Sequence, residues 1–164
     1  MKPQVLPGPP TPWKLPPREK IHEALSAVLD DRIELIEPLS ARVWSSDRSK
    51  SYSVTWNEDR TAFGSNDNAS YFQGYIGYPI ISALLKLGVL QYDCEVSKAL
   101  KDVPWKAINT KFKNKYHDAV NSVLTERIAD QNERQSLDDY VDRLFSDLSK
   151  AGLIRLRPAS PPPK

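Results

Sequence analysis

Proline placement decides where this chain can carry regular structure. Of the 14 prolines, seven fall within the first 17 residues, "MKPQVLPGPPTPWKLPP", and four within the last seven, "PASPPPK". A proline ring fixes φ and removes a backbone donor, so both ends favour extended polyproline II over helix or interior strand. That leaves residues 17–157 as one domain, between proline-rich tails at 1–16 and 158–164. With 164 residues, 40% of them hydrophobic, the chain suffices for one core and not for two.

Inside those limits the periodicities are legible. Pro17 suits a first helical position, and Ile21, Leu25, Val28 and Leu29 follow at helical spacing, which predicts a helix over 17–30. In "KSYSVTWN", Tyr52, Val54 and Trp56 alternate with Ser51, Ser53 and Thr55, the pattern of a half-buried strand. "RIELIE" and "SARVWSS" precede it and "TAFGS" follows, so an antiparallel meander of two to four strands is expected between residues 32 and 65. The stretch "SNDNASYFQGYIGYPIISALLKLG" then leads from the last strand into a helix that is apolar on nearly every face and stops at Gly88.

Beyond Gly88, "VLQY" reads as a short strand and "EVSKALKDV" as a short helix. Pro104 opens the longest amphipathic segment, with Trp105, Ile108, Phe112, Tyr116, Ala119 and Val123 three or four residues apart. A last helix starts at the capping pattern Ser136 to Asp139 and ends at Gly152, with a short strand after it. The expected fold class is α+β: an N-terminal helix, an antiparallel meander and a C-terminal group of three or four helices.

Charge and cysteine content bound the setting. The first 20 residues carry four Lys/Arg and one Glu, and residues 150–164 carry four Lys/Arg and no acid, so a body of net −5 lies between basic ends. A nucleic-acid binder concentrates positive charge on a folded face, which this distribution does not suggest. The single Cys94 cannot form an intramolecular disulfide and no signal-peptide pattern opens the chain, which points to a reducing, cytoplasmic setting. The longest near-apolar run, Tyr75 to Leu90, contains Lys86 and falls short of the roughly 20 residues that span a bilayer, so no membrane association is expected.

Several chemistries lack their residues. His22, His117 and Cys94 are scattered, so no metal is expected, and no motif for a cofactor is present. Asp93 and Glu95 flank Cys94 and would raise its thiol pKa, which argues against a nucleophile. Two stretches remain as candidates for binding. In the first, Asn66, Asp67, Asn68, Tyr71, Gly74, Tyr75, Gly77 and Tyr78 could cradle a ligand, or could simply cap the helix and pack. In the second, Lys106, Lys111, Lys113 and Lys115 lie among Trp105, Phe112 and Tyr116, a mixture that can serve nucleic acid. On a continuous helix those aromatics share one face and the lysines scatter, the signature of a core stripe with a solvated surface. Trp44, Tyr52, Trp56 and Phe63 could likewise stack bases, but Val54 shares their face and makes core the better reading. The leading expectation is a non-catalytic binding or assembly module with a protein partner or self-association. The alternatives are a nucleic-acid-associated protein using the lysine-rich helix and basic tails, and an enzyme with a site near the 65–78 loop.

Overall fold

The computed structural model of the chain describes Gln4, Val5 and residues 10–164. In chain order the elements are β1 (Gln4–Val5), α1 (Lys20–Leu29), β2 (Ile33–Ile36), β3 (Ser40–Trp44), β4 (Ser51–Trp56), β5 (Ala62–Ser65), α2 (Tyr78–Lys86), α3 (Trp105–Lys111), α4 (Tyr116–Arg127), α5 (Gln131–Ala151) and β6 (Ile154–Arg157). The fold is α+β, with the N-terminal helix, the antiparallel meander β2–β5 and the later helices in the expected order. After α5 the chain returns as β6, which pairs in parallel with β5 and antiparallel with β1, giving the sheet order β1-β6-β5-β4-β3-β2. A parallel pair needs a long crossover, and the helices between β5 and β6 supply it.

Alternation places Ala41 and Val43 of β3 and Val54 and Trp56 of β4 in the core. Helix α2 packs on β2–β5, and all of Pro79 to Leu85 is buried, as a segment apolar on nearly every face requires, with the Ser82 hydroxyl donating to the Tyr78 carbonyl. Helix α1 lies against α2 and α5, with every residue from Lys20 to Ala27 buried. It is an interior helix, so its few polar side chains must find partners within the fold.

Several expectations need correction. "VLQY" forms turns after Gly88 and no strand, and "EVSKALKDV" yields only a 3-10 turn at Lys98–Leu100. The long segment after Pro104 is two helices, because Lys113 and Asn114 adopt left-handed φ of 52° and 61°. The Lys113 N–H donates to the Thr110 carbonyl and the Asn114 N–H to the Asn109 carbonyl, the paired bonds of a Schellman ending. The aromatics at 105, 112 and 116 therefore do not form a stripe on one helix. Helix α5 begins five residues before the Ser136 pattern, because the Asp130 side chain caps it by accepting from the Asn132 and Glu133 N–H groups.

The N-terminal tail is shorter than its prolines suggest. Trp13 donates from its backbone N–H to the Leu153 carbonyl at 3.0 Å and from Nε1 to the Phe63 carbonyl at 2.9 Å. The Lys14 N–H donates to the Gly74 carbonyl and the Lys14 carbonyl accepts from Ile76 N–H, so this stretch is strapped to the body by the donors between its prolines. Residues 1–3 and 6–9, with Pro3, Pro7 and Pro9, lie outside the described residues. At the other end, the Asn66 side-chain amide donates to Ser160 Oγ and to the Pro161 carbonyl, which ties the proline-rich C-terminal segment to β5. No helix among the described residues is long and apolar enough to cross a membrane.

Candidate functional site

Lys20 and Glu23 are the only charged residues between Lys20 and Leu29, and the interior position of α1 buries both, at 8% and 6% exposure. They pair with each other, Nζ to Oε2 at 3.0 Å. The other Glu23 oxygen, Oε1, accepts from Asn109 Nδ2 of α3 at 3.0 Å, and the Lys20 ammonium lies 3.9 Å from the centroid of the Tyr116 ring. The start of α4 and the end of α3 thus close over the first turn of α1. Just beyond α1, Arg32 is 2% exposed; its Nη1 donates to the Trp44 carbonyl at 2.7 Å. Its Nε stands 3.6 Å from an Asp30 oxygen and has no hydrogen-bond acceptor.

These groups open onto a cleft of about 260 Å³ between α1, the β3–β4 hairpin and the α3–α4 junction. Tyr52, Tyr78, Trp105 and Tyr116 give it aromatic walls, and Lys20, Arg32, Lys50 and Lys106 face a single carboxylate, Glu23. A second chamber of about 250 Å³ adjoins it and shares Lys20, Tyr52, Asn68, Tyr78, Asn114 and Tyr116 with it. Asp67, Gln73 and Tyr75 complete that second chamber.

The carboxylates of this cleft are occupied, while part of its donor capacity is not. Both Glu23 oxygens have partners, as above. Asp67 Oδ1 accepts from Ser65 Oγ at 2.6 Å and Oδ2 from the Ser70 N–H at 3.1 Å. Lys50, by contrast, forms no ion pair and no side-chain hydrogen bond among the described residues, while Arg32 Nε has the Asp30 carboxylate as its ion-pair partner and no hydrogen-bond acceptor. Lys106 stands at the rim and is held by Asp47 at 3.1 Å and Ser49 Oγ at 2.6 Å. Hydrogen bonds from Ser49 and Ser45 hold the Asp47 carboxyl well below the usual range, so that rim pair stays ionised.

Burial opposes the charge on Lys20, but the Glu23 carboxylate and the surrounding phenols outweigh it and set the Lys20 pKa above its ordinary value. Burial pushes the Tyr52, Tyr75 and Tyr78 hydroxyls upward. The cleft therefore presents ammonium and guanidinium groups beside phenol rings and side-chain amides. His22, on the same helix, is fully buried with both ring nitrogens unpartnered; burial first, and then Arg18, push its pKa down to about 3. It does not line the cleft. Among the described residues no three His, Cys, Asp or Glu are grouped to hold a metal ion.

The fold divides the two stretches singled out from sequence. Asp67, Asn68, Tyr75 and Tyr78 line the chambers. Asn66 is a structural latch whose Oδ1 accepts from the Ser53 N–H at 2.8 Å, and Gly74 turns the chain with φ 73° beside Arg155. Gly77 passes so close to Asp67 that a Cβ there would lie 2.2 Å from Oδ2. Tyr71 and Phe72, expected to pack, point outward at 40% and 71% exposure. Of the four lysines only Lys106 reaches the cleft, while Lys111, Lys113 and Lys115 are exposed away from its lining. The cleft thus joins parts of both stretches with Lys20, Glu23, Arg32 and Asn109, which sequence reasoning did not single out. The available signal was a lone charged pair in a helix with no solvent face, "KIHEALSAVL".

Of the aromatics considered as a base-stacking platform, Trp56 and Phe63 are core, stacked at 5.8 Å, and Tyr52 meets Tyr78 edge to face at 6.3 Å. No curated protein and no solved structure matches the chain. A family model does match, from Trp13, which straps the N-terminal stretch to the sheet, to Ile154, where β6 begins. The chain belongs to the family described as "Uncharacterised conserved protein UCP014422", matched over residues 13–154.

Proposed function

We propose that the protein is a non-catalytic binding module whose cleft takes a small anionic molecule. The observation that carries this reading is the imbalance of partners: the carboxylates at the cleft are engaged within the fold, while the Lys50 ammonium has no partner among the described residues. An unpaired ammonium in a walled cleft of lowered dielectric attracts an anion far more strongly than the same group on an open surface.

The test is calorimetric titration with inorganic phosphate of the parent and of Lys50→Gln, a half-buried side chain whose removal breaks no internal bond. One charge-assisted hydrogen bond contributes about 1.5–3 kcal/mol, so the variant should bind at least about tenfold more weakly. Equal affinity in the two proteins, or no saturable binding by the parent, would sink the reading. Replacing Lys111, Lys113 and Lys115 by Gln should leave phosphate affinity unchanged; a large loss there would favour the nucleic-acid alternative, in which those exposed lysines neutralise phosphates.

Assembly is a second reading, favoured by β2. This strand is a sheet edge, and its Leu35 and Ile36 are exposed, so it offers unpaired backbone groups beside apolar surface. Sedimentation of the parent against Leu35→Lys checks it: identical monomeric profiles remove assembly through this edge. The exposed thiol of Cys94 supports a reducing, cytoplasmic setting for either role.

A further inference from the structure

The two chambers of the cleft differ in kind. The first is cationic. The second contains Lys20 and Asp67 as its only charges and is walled by four phenol rings, Tyr52, Tyr75, Tyr78 and Tyr116. At its mouth stand Asn68 and Gln73, whose side-chain amides make no hydrogen bond within the described residues. An amide offers a donor and an acceptor side by side, which suits the polar edge of a heterocycle, while phenol rings offer faces for it to stack on. Each chamber alone falls below the roughly 300–1,000 Å³ usual for a small-molecule site, and the two joined fall within it. Six lining residues are common to both, which sets the chambers side by side within the span of one molecule with two ends.

We infer that the ligand is a nucleoside 5′-monophosphate, its phosphate toward Arg32 and Lys50 and its base among Tyr75, Tyr78 and Tyr116 beside Asn68 and Gln73. This rests on the anion-binding reading above and adds the ring. A cationic ligand suits the cleft less well, since Lys20, Arg32, Lys50 and Lys106 line it and the Glu23 and Asp67 oxygens already accept internal bonds. A long single strand fits less well than a free mononucleotide, because the exposed lysines 111, 113 and 115 are not in the lining that would have to continue the path.

The experiment is isothermal titration of the full chain with the four ribonucleoside 5′-monophosphates, ribose 5-phosphate, adenosine and a 5′-phosphorylated ten-nucleotide RNA. At least one mononucleotide should bind about tenfold or more tighter than ribose 5-phosphate, the increment expected of one stacked base. Tyr75→Leu should erase that advantage and leave ribose 5-phosphate affinity unchanged. Gln73→Ala, an exposed position that leaves the core intact, should reduce it as well, so the outcome does not depend on one variant folding. Lys50→Gln should weaken the mononucleotide and ribose 5-phosphate alike. If ribose 5-phosphate binds as tightly as all four nucleotides, the nucleotide inference fails while the anion reading stands. If no phosphate compound binds, or adenosine binds as tightly as its monophosphate, both fail. Tighter binding of the RNA than of every mononucleotide overturns the free-nucleotide assignment in favour of a nucleic-acid strand.

Discussion

Replacing Glu23 by Leu would strand the Lys20 ammonium on the floor of the cleft. The two side chains are 10% and 8% exposed and the charged atoms are 3.0 Å apart, so solvent screens the pair little. At an effective dielectric constant near 20, that separation corresponds to an attraction of about 5 kcal/mol. Breaking a buried pair from one side destabilises by about 3–5 kcal/mol, since the remaining charge keeps its desolvation penalty without its partner. Asn109 also loses an acceptor, but it is half-exposed and water replaces part of that bond, adding no more than about 1 kcal/mol. Urea denaturation at pH 7 should therefore show Glu23→Leu less stable than the parent by about 3–5 kcal/mol. The double variant Lys20→Met/Glu23→Leu removes both charges and should recover at least about 2 kcal/mol of that loss. A Glu23→Leu protein within about 0.5 kcal/mol of the parent, the range of ordinary surface changes, would refute the reasoning, because it would place the pair in water and remove the buried charge from the cleft.

Three further outcomes follow from single side chains. His22 is held neutral in the fold with its pKa lowered from 6.5 to about 3, so between those values the unfolded chain binds a proton that the folded chain does not. Stability should then fall with pH below 6.5 by up to about 1.4 kcal/mol per unit, and His22→Leu, measured by urea titration from pH 4 to 7, should flatten that slope. Gly77→Ala forces Asp67 off its bonds to Ser65 and Ser70 and should destabilise by about 1–3 kcal/mol; an unchanged melting midpoint would show that Asp67 does not anchor the loop. Ser26 Oγ donates to the Leu100 carbonyl at 2.6 Å and accepts from Trp105 Nε1 at 2.8 Å, so Ser26→Ala leaves two buried groups unmatched and should lose about 1–3 kcal/mol by tryptophan-monitored unfolding.

The parts of the fold that were legible in the sequence are those governed by local rules. Alternation at Tyr52, Val54 and Trp56 specifies β4, and the run Ile80 to Leu85, apolar but for Ser82, specifies a covered helix, because each pattern has one low-energy way to bury itself. The break between α3 and α4 was hidden because Phe112, Tyr116 and Ala119 keep helical spacing across a turn that ends the helix. Nothing in "KFKNK" marks Lys113 as the residue that turns left-handed, although Asn114 tolerates that conformation. The parallel β5–β6 pair depends on where α5 delivers the chain, a tertiary fact. The candidate cleft is tertiary in the same way. The 65–78 loop and the lysine run were each visible, but Lys106 and Asn68 line one cleft only because α3 folds back over α1, and Arg32 matters only because it is buried.

A 15N-HSQC titration of the protein with inorganic phosphate at constant ionic strength reports directly on whether an anion sits in the cleft. Saturable shifts at Arg32, the Ser45 to Lys50 turn, Lys106 and Asn109, fitting one dissociation constant, are the result expected of an anion seated in the first chamber. Shifts confined to Lys111 to Lys115 and the chain ends, or shifts that grow linearly without saturation, would contradict it and leave the cleft without a ligand of this charge.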